Sequence, residues 1–242
     1  MPHTPAPFLP ALAPDQAHDH LPPLQTIYAD AFLLVLNKPP GLLAVPGKTS
    51  AVCLSLQVQN AYPDALIVHR LDMATSGLMV MARGLAMQRL LNASFAQRQV
   101  RKRYVAVVHG DCSIPSTAAA PAATDWQTIA LPIRVDWPQR PLRMIDPLLG
   151  KPSTTHWRCT GYDAASHTSQ LELEPVTGRS HQLRVHLQAI GHPILGDRLY
   201  APGTIASASP RLLLHAAELG FAHPATGAWC AFAQAASWQA PA

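Results

Sequence analysis

Apolar residues in this chain fall in short blocks separated by turn formers, and the spacing inside each block predicts an element. Ala31-Phe32-Leu33-Leu34-Val35-Leu36-Asn37 is a continuous apolar run of strand length, which predicts a buried strand. Lys38-Pro39-Pro40-Gly41 must turn after it, because proline removes a donor and glycine tolerates positive φ. Leu78-Met79-Val80-Met81 is a second short run that ends at Arg83 and predicts a central strand. From Leu85 to Gln99 the period becomes helical, with Met87, Leu90, Leu91, Ser94 and Phe95 at amphipathic spacing. Tyr104 to Val108 is apolar and β-branched, hence a strand. His156 to Tyr162 and Ser169 to Glu174 alternate as two strands of a half-exposed sheet. Thr177-Gly178-Arg179-Ser180 reads as a turn, with Ser180 as N-cap of a helix from His181 to Ile190 that Gly191 stops. Arg211 to Ala216 predicts one more strand.

Two stretches lack any such period. Residues 1–23 hold seven prolines and predict a disordered tail, which leaves residues 24–242 as one domain. Residues 111–130 turn to Ser, Thr, Ala and Pro and predict a flexible surface insertion. Strands and helices are interspersed without a βαβ rhythm or a repeat, so the expected class is α+β and not a doubly wound sheet. No run of eighteen or more apolar residues exists, so no membrane span is expected. The N-terminus lacks the basic and apolar blocks of a secretory signal. Cys53, Cys112, Cys159 and Cys230 are scattered, which fits free thiols in a reducing cytoplasm.

The net charge of +4 hints at a polyanionic partner, and its distribution says more. Between Leu66 and Gly110 lie Arg70, Arg83, Arg89, Arg98, Arg101, Lys102 and Arg103 against a single acid, Asp72. That carboxylate precedes Thr75-Ser76-Gly77, a polar turn leading into a buried strand, which suits a catalytic group. A structural role, capping the turn or pairing with Arg70, is the competing reading of the residue alone. Phosphate-cradling GxxxxGK[ST] and GxGxxG loops are absent. His181 and His186 are five apart, about 140° round a helix, and cannot share a metal as an i, i+4 pair does. Arg184 starts just off the apolar stripe of its helix, where a guanidinium binds a carboxylate bidentately and keeps it ionised. Tyr104 follows Arg101-Lys102-Arg103, an arrangement suited to packing or to stacking on a base while the cations hold phosphate.

These segments together resemble the RluA family of pseudouridine synthases. The resemblance is carried by His69-Arg70-Leu71-Asp72 with Thr75-Ser76-Gly77, by Asn37 to Gly41, by Arg101 to Ala106 and by Thr177 to His186. Gly191 to Asp197 and Arg211 to Ala216 follow in the family's order, so the likeness spans roughly residues 25 to 235. It implies a mixed, largely antiparallel sheet in two joined halves, with flanking helices and a central cleft. It implies Asp72 as the nucleophilic aspartate, Tyr104 as the active-site tyrosine and Arg184 as the arginine that pairs with Asp72. Arg70 would fill the gap left by a flipped uridine, and Arg101, Lys102, Arg103, Arg179 and His181 would bind RNA. The implied reaction, isomerising uridine to pseudouridine, is redox-neutral and needs no metal and no organic cofactor. Length and the extended strings match best the member that gives the family its name, which implies large-subunit rRNA and the anticodon stem-loop of tRNA as partners. A cytoplasmic monomer with no membrane contact is expected. The rival readings are a non-catalytic RNA-binding protein that retains the fold, and a metal-dependent nuclease built on the histidines.

Overall fold

A computed structural model describes residues 22–48, 50–113 and 125–238. Its strands begin with β1 (Thr26–Ala29) and β2 (Leu33–Lys38), followed by helix α1 (Leu54–Ala61). Next come β3 (Ala65–Ile67), β4 (Ser76–Arg83), α2 (Leu85–Ala96) and β5 (Arg101–His109). The short strands β6 (Gln127–Ala130), β7 (Ile133–Val135) and β8 (Arg143–Ile145) precede the long hairpin of β9 (Thr154–Asp163) and β10 (Thr168–Pro175). Helices α3 (Gln182–Ala189) and α4 (Gly203–Ser207) and strands β11 (Leu214–Ala222) and β12 (Trp229–Ala233) complete the chain.

One large sheet runs β1-β2-β4-β11-β5-β10-β9-β6, with β3 beside β4 and β12 beside β11. Every pairing in it is antiparallel except β4 with β11. That parallel pair joins two halves, in agreement with the α+β expectation. β2 and β4 are buried on both faces, which explains their unbroken apolar runs. Leu33, Val35, Leu78 and Val80 pack with Leu91 of α2 on one face, while Leu34, Leu36, Met79 and Met81 pack with Leu54 and Val58 of α1 on the other. The second half is built on Ala106, Val108, Leu171 and Leu173 of β5 and β10, covered by Leu183 and Leu187 of α3.

Several expectations need correction. The helix after the Thr177 turn is not capped by Ser180. Its N-cap is His181, in the left-handed region (φ 58) and without a side-chain cap bond. Gln182 does that work by accepting the Arg179 amide at 3.1 Å and the Thr177 hydroxyl at 2.7 Å. All residues from Gln182 to Leu187 are buried, so α3 crosses the interior and has no solvent face in this stretch. Residues 1–21 of the expected tail and 114–124 of the expected insertion lie outside the described residues. The insertion does not reach residue 130: Gln127–Ala130 pairs with β9, and Ile129 joins the core. Strand β11 starts at Leu214, three residues later than expected, and extends to Ala222. No helix among the described residues is long and apolar enough to cross a membrane.

The parallel seam is fitted by two small residues and two polar ones. Ser76 and Gly77 align with His215 and Ala216. Gly77 has φ +115, and a Cβ there would collide with the backbone N and O of Ala216. Replacing Gly77 by Ala is expected to cost about 3 kcal/mol or more in urea unfolding followed by circular dichroism; a loss below about 1 kcal/mol would show that the seam can part. His69 accepts the Val80 amide at Nε2 (3.0 Å) and stacks on Phe95 with centroids 4.6 Å apart. Burial, aided by the Lys102 charge, pulls this imidazole down to about 3, so the folded chain holds it neutral. Below its ordinary value of 6.5 the unfolded chain takes a proton that the folded chain refuses, and stability falls as pH drops through that window. Between about pH 7 and about pH 4, His69→Gln is expected to lose less stability than the unsubstituted chain. Parallel curves for the two would contradict a neutral, buried His69.

Candidate active site

Asp72 lies on the loop between β3 and β4, and the loop is fixed on both sides of it. The fully buried Lys38 donates from Nζ to the carbonyls of Pro39 (2.8 Å), Leu42 (2.8 Å) and Met73 (3.1 Å). The Gly41 amide donates to the same Met73 carbonyl at 2.8 Å, and the Thr75 amide donates to the Asp72 carbonyl at 3.1 Å. The Lys-Pro-Pro-Gly turn is therefore a clamp on the Asp72 loop. Burial pulls the Lys38 ammonium down to about 7, with the Asp72 charge opposing and that of Arg211 adding to the shift. The carboxylate itself has no hydrogen bond or ion pair among the described residues. It is held in place by its backbone and left free for chemistry.

It opens on a cleft of about 780 Å³ at the seam between the halves, shared with Tyr104 of β5 and with His181 and Arg184 of α3. Burial and the Asp72 charge both raise the Tyr104 phenol above its ordinary value, so it stays a hydroxyl. His181 meets Tyr200, whose hydroxyl lies 2.6 Å from Nδ1. The Arg143 amide donates to that hydroxyl at 2.9 Å, and the hydroxyl can donate to Nδ1 of a neutral imidazole. Burial lowers the His181 pKa, which favours this neutral form.

Arg184 departs from the expected pairing. Its bidentate partner is Asp197, not Asp72: Nε donates to Oδ2 at 2.8 Å and Nη2 donates to Oδ1. Asp197 is in turn held by the amides of Leu199 (3.0 Å) and Tyr200 (3.2 Å), and the Tyr200 ring lies 4.9 Å from the guanidinium carbon. Both members of the ion pair are buried, which makes Arg184 a fixed cation. Burial works to lower the guanidinium pKa, but Asp197, and Asp72 across space, outweigh it and raise the pKa above its ordinary value. The physical reason is geometric: a planar fork is satisfied by one carboxylate, and Asp197 on the following loop reaches it with both oxygens.

The cations sort by face. Arg70, Arg98, Arg101, Lys102 and Arg179 line the cleft with Asp72. Arg103, expected among them, does not. It points away and pairs with Glu174 (2.7 Å), Glu218 (3.6 Å) and Glu172 (3.8 Å), beside the Trp126 ring. Arg83 is likewise drawn off by Asp64 at 3.1 Å. The structure thus brings together Asp72, Tyr104, Arg184, Arg70, Arg101, Lys102, Arg179 and His181, and leaves out Arg103. No group of three His, Cys, Asp or Glu side chains among the described residues is arranged to hold a metal.

Asp197, Tyr200, Lys38 and His69 serve the site without having been singled out in the sequence for any role. Asp197 closes the Gly191–Asp197 block and Lys38 opens the turn before Gly41, so motif membership was their only signal.

Comparison with known proteins agrees with this geometry. The sequence pattern described as RNA pseudouridylate synthase matches residues 32–189. The chain is 46% identical over 208 residues to the dual-specificity RNA pseudouridine synthase RluA of Escherichia coli (strain K12), covering 85% of this chain and 90% of that one. RluA of Vibrio vulnificus (strain CMCP6) is 42% identical over 215 residues, which cover 85% of this chain and 82% of that protein. The structure of Human RNA Pseudouridylate Synthase Domain Containing 1 superposes with a TM-score of 0.71 at 27% identity, covering 93% of this chain and 86% of that one. With sequence and fold in agreement over most of its length, the chain belongs to the RluA family of RNA pseudouridylate synthases, isomerases that convert uridine to pseudouridine.

Proposed function

We propose that this enzyme isomerises uridines in a stem-loop of large-subunit rRNA and in the anticodon stem-loop of tRNA, with Asp72 as its nucleophile. The observation that carries this reading is the Asp72 carboxylate, unpaired among the described residues, on the wall of a cleft that Arg70, Arg98, Arg101, Lys102, Arg179 and Arg184 also line. Support for two RNA classes comes from relatives named dual-specificity synthases at 42% and 46% identity. In this reading the enzyme is a cytoplasmic monomer that works without metal or organic cofactor, and the rearrangement, being redox-neutral, calls for no electron carrier. The N1–C1′ bond breaks, the base turns, C5 bonds to C1′ and loses its proton, and N1 gains a proton, so the sum of atoms is unchanged.

Each residue has a part that follows from its surroundings. Asp72 must be ionised to attack, and it shares its cleft with the fixed cation Arg184. Tyr104, kept as a hydroxyl, offers its ring to the base and its O–H to a developing charge, not a resting phenolate. Arg70 fills the space vacated by the flipped uridine. Arg101, Lys102 and Arg179 hold phosphates, and His181 adds an imidazole edge for the RNA. Extruding the base costs a few kcal/mol, roughly 2–4, which these phosphate contacts offset.

Asp72→Asn preserves shape and removes the charge. It is expected to abolish pseudouridine formation, read by carbodiimide-dependent primer extension, while RNA affinity stays within about threefold or rises. Residual turnover would refute Asp72 as the nucleophile. Asp197→Asn tests the arginine support. It should lower unfolding free energy by about 3 kcal/mol, since a buried guanidinium loses its charged partner, and it should slow single-turnover conversion at saturating RNA. Unchanged stability together with an unchanged rate would show that Arg184 does not need Asp197.

A further inference from the structure

We infer that the tip of the β7–β8 hairpin is a stacking platform for an unpaired base of the RNA substrate, with Trp137 as its surface and Arg140 as its cation. This rests on the reading of the cleft as an RNA site and names a contact outside it. Strands β7 and β8 form a separate two-stranded sheet. Its tip is tight: the Asp136 amide donates to Leu142 O (3.1 Å) and the Leu142 amide donates to Gln139 O (2.9 Å). On that tip Trp137 is 62% exposed, with the Arg140 guanidinium 4.5 Å from its ring centroid. The tip thus presents an open indole with a cation already beside its ring.

Charge indicates what covers it. Residues 131–151 carry Arg134, Arg140, Arg143 and Lys151 against Asp136 and Asp146. Both acids are engaged internally, Asp136 with the Gln139 amide and Asp146 with Arg134 and the amides of Leu148 and Leu149. An indole beside a guanidinium on a cationic hairpin suits a nucleobase with its phosphate, because every base has a π-face and every nucleotide a negative charge. On the tip Trp137 is the one large exposed apolar side chain, with Leu148 and Leu149 past the other end of β8, and a protein partner would be better served by a wider apolar patch.

Position indicates which RNA. The hairpin is anchored beside the catalytic cleft, not remote from it. The Arg143 amide donates to the Tyr200 hydroxyl, the group that orders His181, and His186 Nε2 lies 2.9 Å from Leu131 O at the hairpin base. From Arg143, the first residue of β8, back to Arg140 is three residues of turn, at most about 10 Å. A loop nucleotide neighbouring the flipped uridine falls within that reach, whereas single-stranded bases elsewhere on a large RNA do not. Stem-loops expose such unstacked bases, and paired stems do not.

The test compares binding of two synthetic RNAs to the full chain by fluorescence anisotropy. One is an anticodon stem-loop, and the other is a fully paired stem with the same number of phosphates. Trp137→Ala is expected to raise the Kd for the stem-loop about fivefold or more while leaving that for the paired stem within about twofold. Trp137→Phe should recover most of the difference, since a smaller ring still stacks. A 2-aminopurine placed in the loop should be quenched on binding the unsubstituted chain and less so on binding Trp137→Ala. Equal losses on both RNAs, or a stem-loop Kd within about twofold of the original, would overturn the inference and leave the indole to some other partner. Since neither readout requires turnover, this outcome is independent of whether Asp72→Asn abolishes isomerisation.

Discussion

The ammonium of Lys38 has no exposure to solvent, and one of the three carbonyls that hold it belongs to Met73, the residue after Asp72. Burying a charge is costly unless every donor is satisfied, and an ammonium has three donors for the three carbonyls it meets. Desolvation still pulls its pKa down to about 7, and the Asp72 charge pushes back. The two groups therefore depend on each other. Lys38 sets the backbone from which the carboxylate projects, and the carboxylate helps keep Lys38 charged. A neutral amine would have only two N–H groups to give and would release one carbonyl of the clamp.

The far side of the same loop is held by a directed chain of hydrogen bonds at the seam between the halves. Arg211 donates to the Ser76 hydroxyl, which leaves Ser76 to donate to His215 Nδ1 at 2.8 Å. The imidazole proton then sits on Nε2 and is given to the Gln234 carbonyl at 3.0 Å. Burial lowers the His215 pKa, consistent with this neutral tautomer. Gly77 next to Ser76 permits β11 to approach β4 closely enough for the chain to form. Two sequence blocks far apart in the chain, Thr75-Ser76-Gly77 and Leu214-His215-Ala216, are thus two sides of one joint. Asp72 is fixed between that joint and the Lys38 clamp.

Much of this could be read from the residues in order. The unbroken apolar runs of β2 and β4 predicted burial, and the helical period of α2 survived with its end at Ala96 instead of Gln99. Asp72, Tyr104 and Arg184 do share one cleft. What could not be read depends on tertiary approach. No local spacing shows that Asp197, thirteen residues after Arg184, returns to close on its guanidinium. The helix start at His181 was misplaced because a serine cap is a local rule, whereas Gln182 satisfies the turn from inside the helix. Strand β6 falls in the stretch expected as an insertion, and β7 and β8 have no counterpart among the expected elements, because three- and four-residue strands carry too little period to register.

Arg101-Lys102-Arg103 shows how a run of like charge misleads when counted as one. Successive side chains of a strand point to opposite faces, so three consecutive cations on β5 cannot all meet one ligand. Lys102 and Tyr104 share the face that lines the cleft, where burial lowers the lysine pKa. Arg103 faces the other way, into Glu172, Glu174 and Glu218, where its charge is cancelled by acids on β10 and β11. Arg101 lies at the exposed end of the strand, 3.9 Å from Glu174, yet it still borders the cleft. The field offered to an RNA phosphate is therefore smaller than the residue count between Leu66 and Gly110 suggests, and it is more directional. Of the two acids that line the cleft, Glu174 is held by Arg103 and Asp72 has no partner among the described residues, so the cleft draws in a polyanion while keeping one carboxylate available to the base.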